Sequence, residues 1–145
     1  MIKQVFFTLL ILLVCTSSLA GDPKPSHSKY VSDRGGGFLI RDKTARYGMT
    51  FTVSKKLTRP LYVIVTFDNP ADMKQDLVTT LVYKSKGDLI VQSEPFTSAK
   101  NGKIYRLKMQ MFSDPDHLEL VTSHKSKVGF NLTQEVADIV GFDLQ

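Results

Sequence analysis

Three histidines, His27, His117 and His124, are the first residues to weigh for chemistry in this chain of 145 residues. His117 and His124 lie seven positions apart, which on one strand places them on opposite faces, so they share a metal only if the chain bends between them. Asp114, Asp116 and His117 do cluster. Their carboxylates could take a hard cation, and a small extracytoplasmic hydrolase or metal-dependent enzyme would put its site there. Asp-Pro-Asp is equally the composition of a tight turn with proline at its second position, and the turn is the expectation. The glutamates are Glu94, Glu119 and Glu135. Glu94 and Glu119 would have to meet to form a carboxylate pair, and no spacing brings them together. Met109 and Met111 share a face with Leu107, where packing is preferred over copper binding. There is no Gly-x-Ser-x-Gly elbow, Walker loop, zinc spacing or dinucleotide fingerprint. The pattern nominates no catalytic, cofactor-binding or metal-ligating residue, and it favours a binding module over an enzyme.

Any site must stand on a domain whose compartment is written at the N-terminus. Lys3 precedes an apolar run from Val5 to Val14, and Ser18-Leu19-Ala20 before Gly21 fits a small-x-small cleavage site. Residues 1–20 are therefore expected to be a signal peptide, directing the chain to the periplasm or outside the cell. The run is short of the roughly 20 residues a bilayer span needs, so no transmembrane segment is expected after cleavage. Cys15 after Leu12-Leu13-Val14 resembles the lipobox of bacterial lipoproteins. That pattern wants a small residue where Val14 stands, so cleavage after Ala20 is preferred to a lipid anchor at Cys15. Cys15 is also the single cysteine, and the mature domain would have to hold together without disulfides. The net charge of +5 falls to +4 once Lys3 is removed. A charge of that size keeps a small domain soluble without implying nucleic acid.

Residues 21–36 are polar, contain Pro23 and Pro25 and run into Gly35-Gly36-Gly37; they are expected to be a flexible leader before a domain at 37–145. Leu61-Tyr62-Val63-Ile64-Val65-Thr66-Phe67, apolar on both faces and bounded by Pro60 and Pro70, predicts a central strand covered on either side. Period-two alternation predicts further strands near 38–41, 45–53, 78–83, 88–94, 103–113 and 117–123. Asn101-Gly102 and Asp114-Pro115-Asp116 supply turns. Residues 133–145 fit either a short helix or a last strand. For the helix, Asn131 would be the cap, Leu132, Val136, Ile139 and Val140 the buried face, and Gly141 the stop. Asn131-Leu132-Thr133 also matches an N-glycosylation acceptor.

About seven short strands with regular turn signals predict an all-β antiparallel sandwich. Over residues 37–132 this layout resembles the immunoglobulin-like superfold, without its Cys…Trp…Cys hallmark. Tyr105, near the start of the sixth strand, is a candidate tyrosine corner with its spacing off by one. That resemblance implies that the second–third, fourth–fifth and sixth–seventh connections gather at one end. Lys55, Lys56, Arg59, Lys84 and Lys86 would then form a basic pole for an acidic partner: a protein surface, a lipid headgroup or a glycan. Lysines also guard strand edges in general. A free sheet edge could accept a partner's strand. Nucleic acid is not expected, because outward aromatics for base stacking are not evident.

Overall fold

The computed structural model describes residues 28–84 and 87–145. In chain order the strands are β1 (Val31–Arg41), β2 (Thr44–Val53), β3 (Leu61–Phe67), β4 (Leu77–Tyr83) and β5 (Leu89–Gln92). There follow β6 (Ser98–Ala99), β7 (Ile104–Phe112), β8 (Leu120–Gly129), the helix α1 (Gln134–Val140) and β9 (Asp143–Leu144). Two antiparallel sheets, ordered β1-β2-β5 and β4-β3-β7-β8, stack as an all-β sandwich of immunoglobulin-like layout. A small parallel pair, β6-β9, and α1 close one end.

The hydrophobic layer between the sheets follows the alternation. Leu61, Val63, Val65 and Phe67 of β3 are buried, and opposite them lie Tyr47, Met49, Phe51 and Val53 of β2. Leu107, Met109 and Met111 of β7 complete the layer, so the methionines are core. Burying each such side chain contributes roughly 1.5–3 kcal/mol. β3 is central, flanked by β4 and β7. Only one of its faces is roofed by the other sheet; Tyr62, Ile64 and Thr66 on its outer face are half-buried by their strand neighbours. Apolar residues there reflect lateral crowding within the sheet and not a third layer.

Three expectations shift. The last part of the expected leader, 31–36, is strand: Val31 to Gly37 pairs with β2, with a bulge between Asp33 and Gly35. The seventh expected strand starts later and runs further, because Asp114 to Glu119 are consumed by the β7–β8 turn. At the C-terminus the cap is Thr133, whose hydroxyl accepts from Val136 N, and Asn131 is not the cap. Gly141 does end the helix in a left-handed conformation at φ 68°. The buried side is Ala137, with Leu132 and Val140 half-buried, while Val136 and Ile139 face out. The helix is held by one small residue, and the aromatic Phe142 just beyond it packs against Phe96 and Phe130.

The tyrosine corner is present. Tyr105 is fully buried and its hydroxyl accepts from Lys100 N at 2.9 Å, fixing the loop that enters β7. The expected signal peptide, Cys15, His27 and Lys86 lie outside the described residues. Among the described residues no helix is long and apolar enough to cross a membrane.

Candidate functional site

The two sheets are tied at one side by a polar clasp. Asp33, at the β1 bulge, accepts from Ser126 Oγ at 2.6 Å on one carboxylate oxygen, and the other lies 2.7 Å from His124 Nε2. Ser28 and Thr122 hydroxyls meet at 2.6 Å alongside. The residue types are those of a hydrolytic triad, but the wiring is not. The carboxylate sits between serine and histidine, so the imidazole is not placed to take a proton from the serine hydroxyl. His124 is buried with its ring edge-on to Phe51, and its Nδ1 has no hydrogen-bond partner. The trio is an acid-bridged brace between β1 and β8.

Because side chains alternate along β8, the same brace decides what the strand presents outward. His124 and Ser126 point in, and Lys125 and Lys127 point out. β8 pairs with β7 so that Lys127 stands opposite Arg106 and Lys125 opposite Lys108. Directly opposite residues in an antiparallel pair have Cβ atoms about 4.5–5.5 Å apart, and like charges there are destabilising. Four cations thus occupy two adjacent rows on the outer face of the four-stranded sheet. Among the described residues, no ion pair involves Arg106, Lys108 or Lys127.

Arg106 is held in place by its backbone. Its N–H donates to Asp68 Oδ2 at 2.8 Å, and its carbonyl accepts from Asp68 N at 2.9 Å. The Tyr47 hydroxyl reaches across the sandwich to the carbonyls of both Asp68 and Arg106, at 2.8 and 3.0 Å. Burial, then the negative charge of Asp68, pushes the Tyr47 phenol well above its ordinary pKa, so it stays a donor. An open groove of about 810 Å³ lies over this surface, lined by the four cations together with Thr66, Leu107, Ser126 and the carboxylates of Asp33, Asp68 and Asp76.

The residues nominated from sequence lie elsewhere. Lys55, Lys56, Arg59 and Lys84 are exposed. The register puts them at one end of the sandwich, since Leu61 pairs with Tyr83 and Phe51 with Leu89. The β7–β8 turn reaches the same end, as Tyr62 pairs with Phe112. It brings Asp114, Asp116 and Glu119 with it, and Asp88 ion-pairs with Arg34 nearby. That end is of mixed charge, because the third connection offsets the lysines of the first two.

Asp114, Asp116 and His117 form the turn that their composition favours. The Asp114 carboxylate accepts the backbone amides of Leu118 and Glu119. These amides, that of Glu119 foremost, hold its pKa below the usual aspartate value. His117 takes a left-handed backbone conformation at φ 56°, with its ring edge-on to Phe112. Among the described residues no group of three or more His, Cys, Asp or Glu side chains could hold a metal ion. The outward alternation of Arg106 and Lys108 is visible in the sequence. Lys125 and Lys127 are missed because the last long strand is expected to stop at 123, although Lys125-Ser126-Lys127-Val128 continues the same alternation.

No family model matches the chain, and no curated protein matches it. Among solved structures it is similar to a Bacteroides uniformis β-glucuronidase, "beta-glucuronidase 2", at 12% identity and a TM-score of 0.42. The likeness covers 70% of this chain and 13% of that enzyme, so the chain spans about an eighth of its length.

Proposed function

We propose that this chain is an exported, non-catalytic binding module that takes an acidic glycan along the groove over β7 and β8. One observation carries this reading: Arg106 opposite Lys127 and Lys108 opposite Lys125, four cations at neighbouring positions of two paired strands, an arrangement in which directly opposite like charges are unfavourable. An anionic ligand carrying carboxylate or sulfate groups relieves that repulsion, and Arg106 adds a fork matched to such groups. A glycan fits better than an acidic protein surface. Asp68, Asp76 and Thr66, which line the groove beside the cations, offer acceptors for the many hydroxyls of a sugar chain, donors that a carboxylate-rich protein face lacks. The N-terminal leader pattern supports export.

The test is a titration of purified protein with a polyuronate or a sulfated polysaccharide against a neutral one of similar length. Binding to the acidic polymers should weaken steeply with salt and be lost in Lys108→Glu combined with Lys125→Glu. Lys55→Glu combined with Lys56→Glu, at the mixed-charge end, should bind as the parent does. Equal binding to the neutral polymer, or retention of binding in the Lys108/Lys125 variant, would refute this assignment. Mass analysis of the exported protein should place its first residue at Gly21.

A further inference from the structure

The four edges of the two large sheets are not alike. β1 carries Asp33, Arg34 and Arg41, a bulge and three glycines. β8 carries Lys125 and Lys127, and β5 is only four residues long. Charges, bulges and shortness all discourage pairing with another chain. β4 has none of them. Leu77-Val78-Thr79-Thr80-Leu81-Val82-Tyr83 holds no charge, glycine or proline across seven residues, and it is rich in strand-forming types. It lies at the sheet edge, paired on one side to β3. Val78 and Val82 on its outer face are 51% and 49% exposed. Left bare, such an edge is an aggregation site.

We infer that β4 pairs antiparallel with β4 of a second copy of this chain, about a two-fold axis at Thr80. An axis perpendicular to the sheet requires one residue to stand opposite itself with its face preserved. Centred on Thr80, the register sets Val78 opposite Val82 of the partner subunit, burying the exposed pair on both sides. On the inner face Leu77 meets Tyr83 of the partner subunit, and Thr79 meets Leu81 of the partner subunit. Just beyond the strand, Asp76 falls opposite Lys84 of the partner subunit, twice by symmetry. Both residues are exposed in the single chain. Centring on Thr79 would set Asp76 against a valine, and centring on Leu81 would set Lys84 against one. Thr80 is the centre that matches apolar to apolar and acid to base, which is why the occupant is a second copy. The four-stranded sheet becomes one continuous sheet of eight.

Sedimentation velocity and light scattering on the purified protein, over a concentration series, test this directly. A reversible monomer–dimer equilibrium is expected. Val78→Lys combined with Val82→Lys should give a monomer with an unchanged circular dichroism spectrum. Asp76→Lys alone should weaken the dimer about tenfold, and adding Lys84→Asp should restore it. A monomer at every concentration, growth beyond the dimer, or a dimer indifferent to Val78→Lys combined with Val82→Lys would overturn the inference. So would failure of the charge exchange to restore pairing. Asp76 lines the groove as well, but Lys108→Glu with Lys125→Glu should leave the dimer intact, which separates the failure of this inference from that of the glycan reading.

Discussion

His124 Nε2 lies 2.7 Å from Asp33 Oδ1, and this contact joins the edge strand of the four-stranded sheet to the edge strand of the three-stranded one. With the Ser126 hydroxyl on the other carboxylate oxygen, one acidic side chain satisfies two polar groups that face the core. Asp33→Ala would strand both at once. A lost acceptor for buried donors costs about 1–3 kcal/mol, so chemical denaturation should show a loss in that range. Full stability in Asp33→Ala would mean that the brace contributes nothing.

The triple glycine gives a second test, because its members are not equivalent. A Cβ on Gly36 would lie 2.6 Å from the Gly48 carbonyl oxygen and 2.8 Å from Met49 Cε, whereas one on Gly35 or Gly37 meets nothing within 4 Å. Gly36→Ala should therefore cost about 1–3 kcal/mol through overpacking. Gly37→Ala should stay within about 0.5 kcal/mol of the parent. A flexible linker would tolerate both equally, so thermal melts of the two variants separate strand from linker.

Those glycines also show why part of the fold was legible and part was not. The β-sandwich and its central strand were readable because Leu61 to Phe67, Tyr47 to Val53 and Tyr105 to Met111 carry their burial as alternation. β1 was half hidden: glycine has no side chain to report a face, and its strand exists because β2 supplies every partner. The C-terminal stop was readable at Gly141, whose conformation is local. The buried face of α1 was not, because Ala137 is small and Ile139 is larger yet exposed. Lysines in loops are conspicuous in the sequence and point to one end of the sandwich. The cationic block depends instead on the register of β7 against β8, a long-range relationship that no local spacing states.

Asp114 supplies the pH dependence. Its carboxylate is held below the ordinary aspartate range, first by the amide of Glu119 and also by that of Leu118. Folding lowers this pKa, so the stability it contributes is present above the unfolded value and is lost as pH falls through the folded one. In denaturation series run through the acid range, Asp114→Asn should flatten the loss of stability relative to the parent. Parallel curves for the two proteins would show that the turn does not depend on the charge.

Stability and binding are set against each other at Lys108. Lys108 faces Lys125 across β7 and β8, and a like-charge pair directly opposite destabilises by roughly 0.2–1 kcal/mol. Lys108→Gln should therefore raise the denaturation midpoint at low salt, and the gain should shrink as salt screens the parent's repulsion. The same change should weaken polyuronate binding. Most substitutions of an exposed lysine leave stability within about 0.5 kcal/mol, as Lys55→Gln should here. A gain in stability together with a loss of affinity at position 108, and neither at position 55, is what a surface kept for an anionic ligand requires. If Lys108→Gln destabilises the fold instead, the cations belong to the structure of the sheet and the glycan assignment loses its foundation.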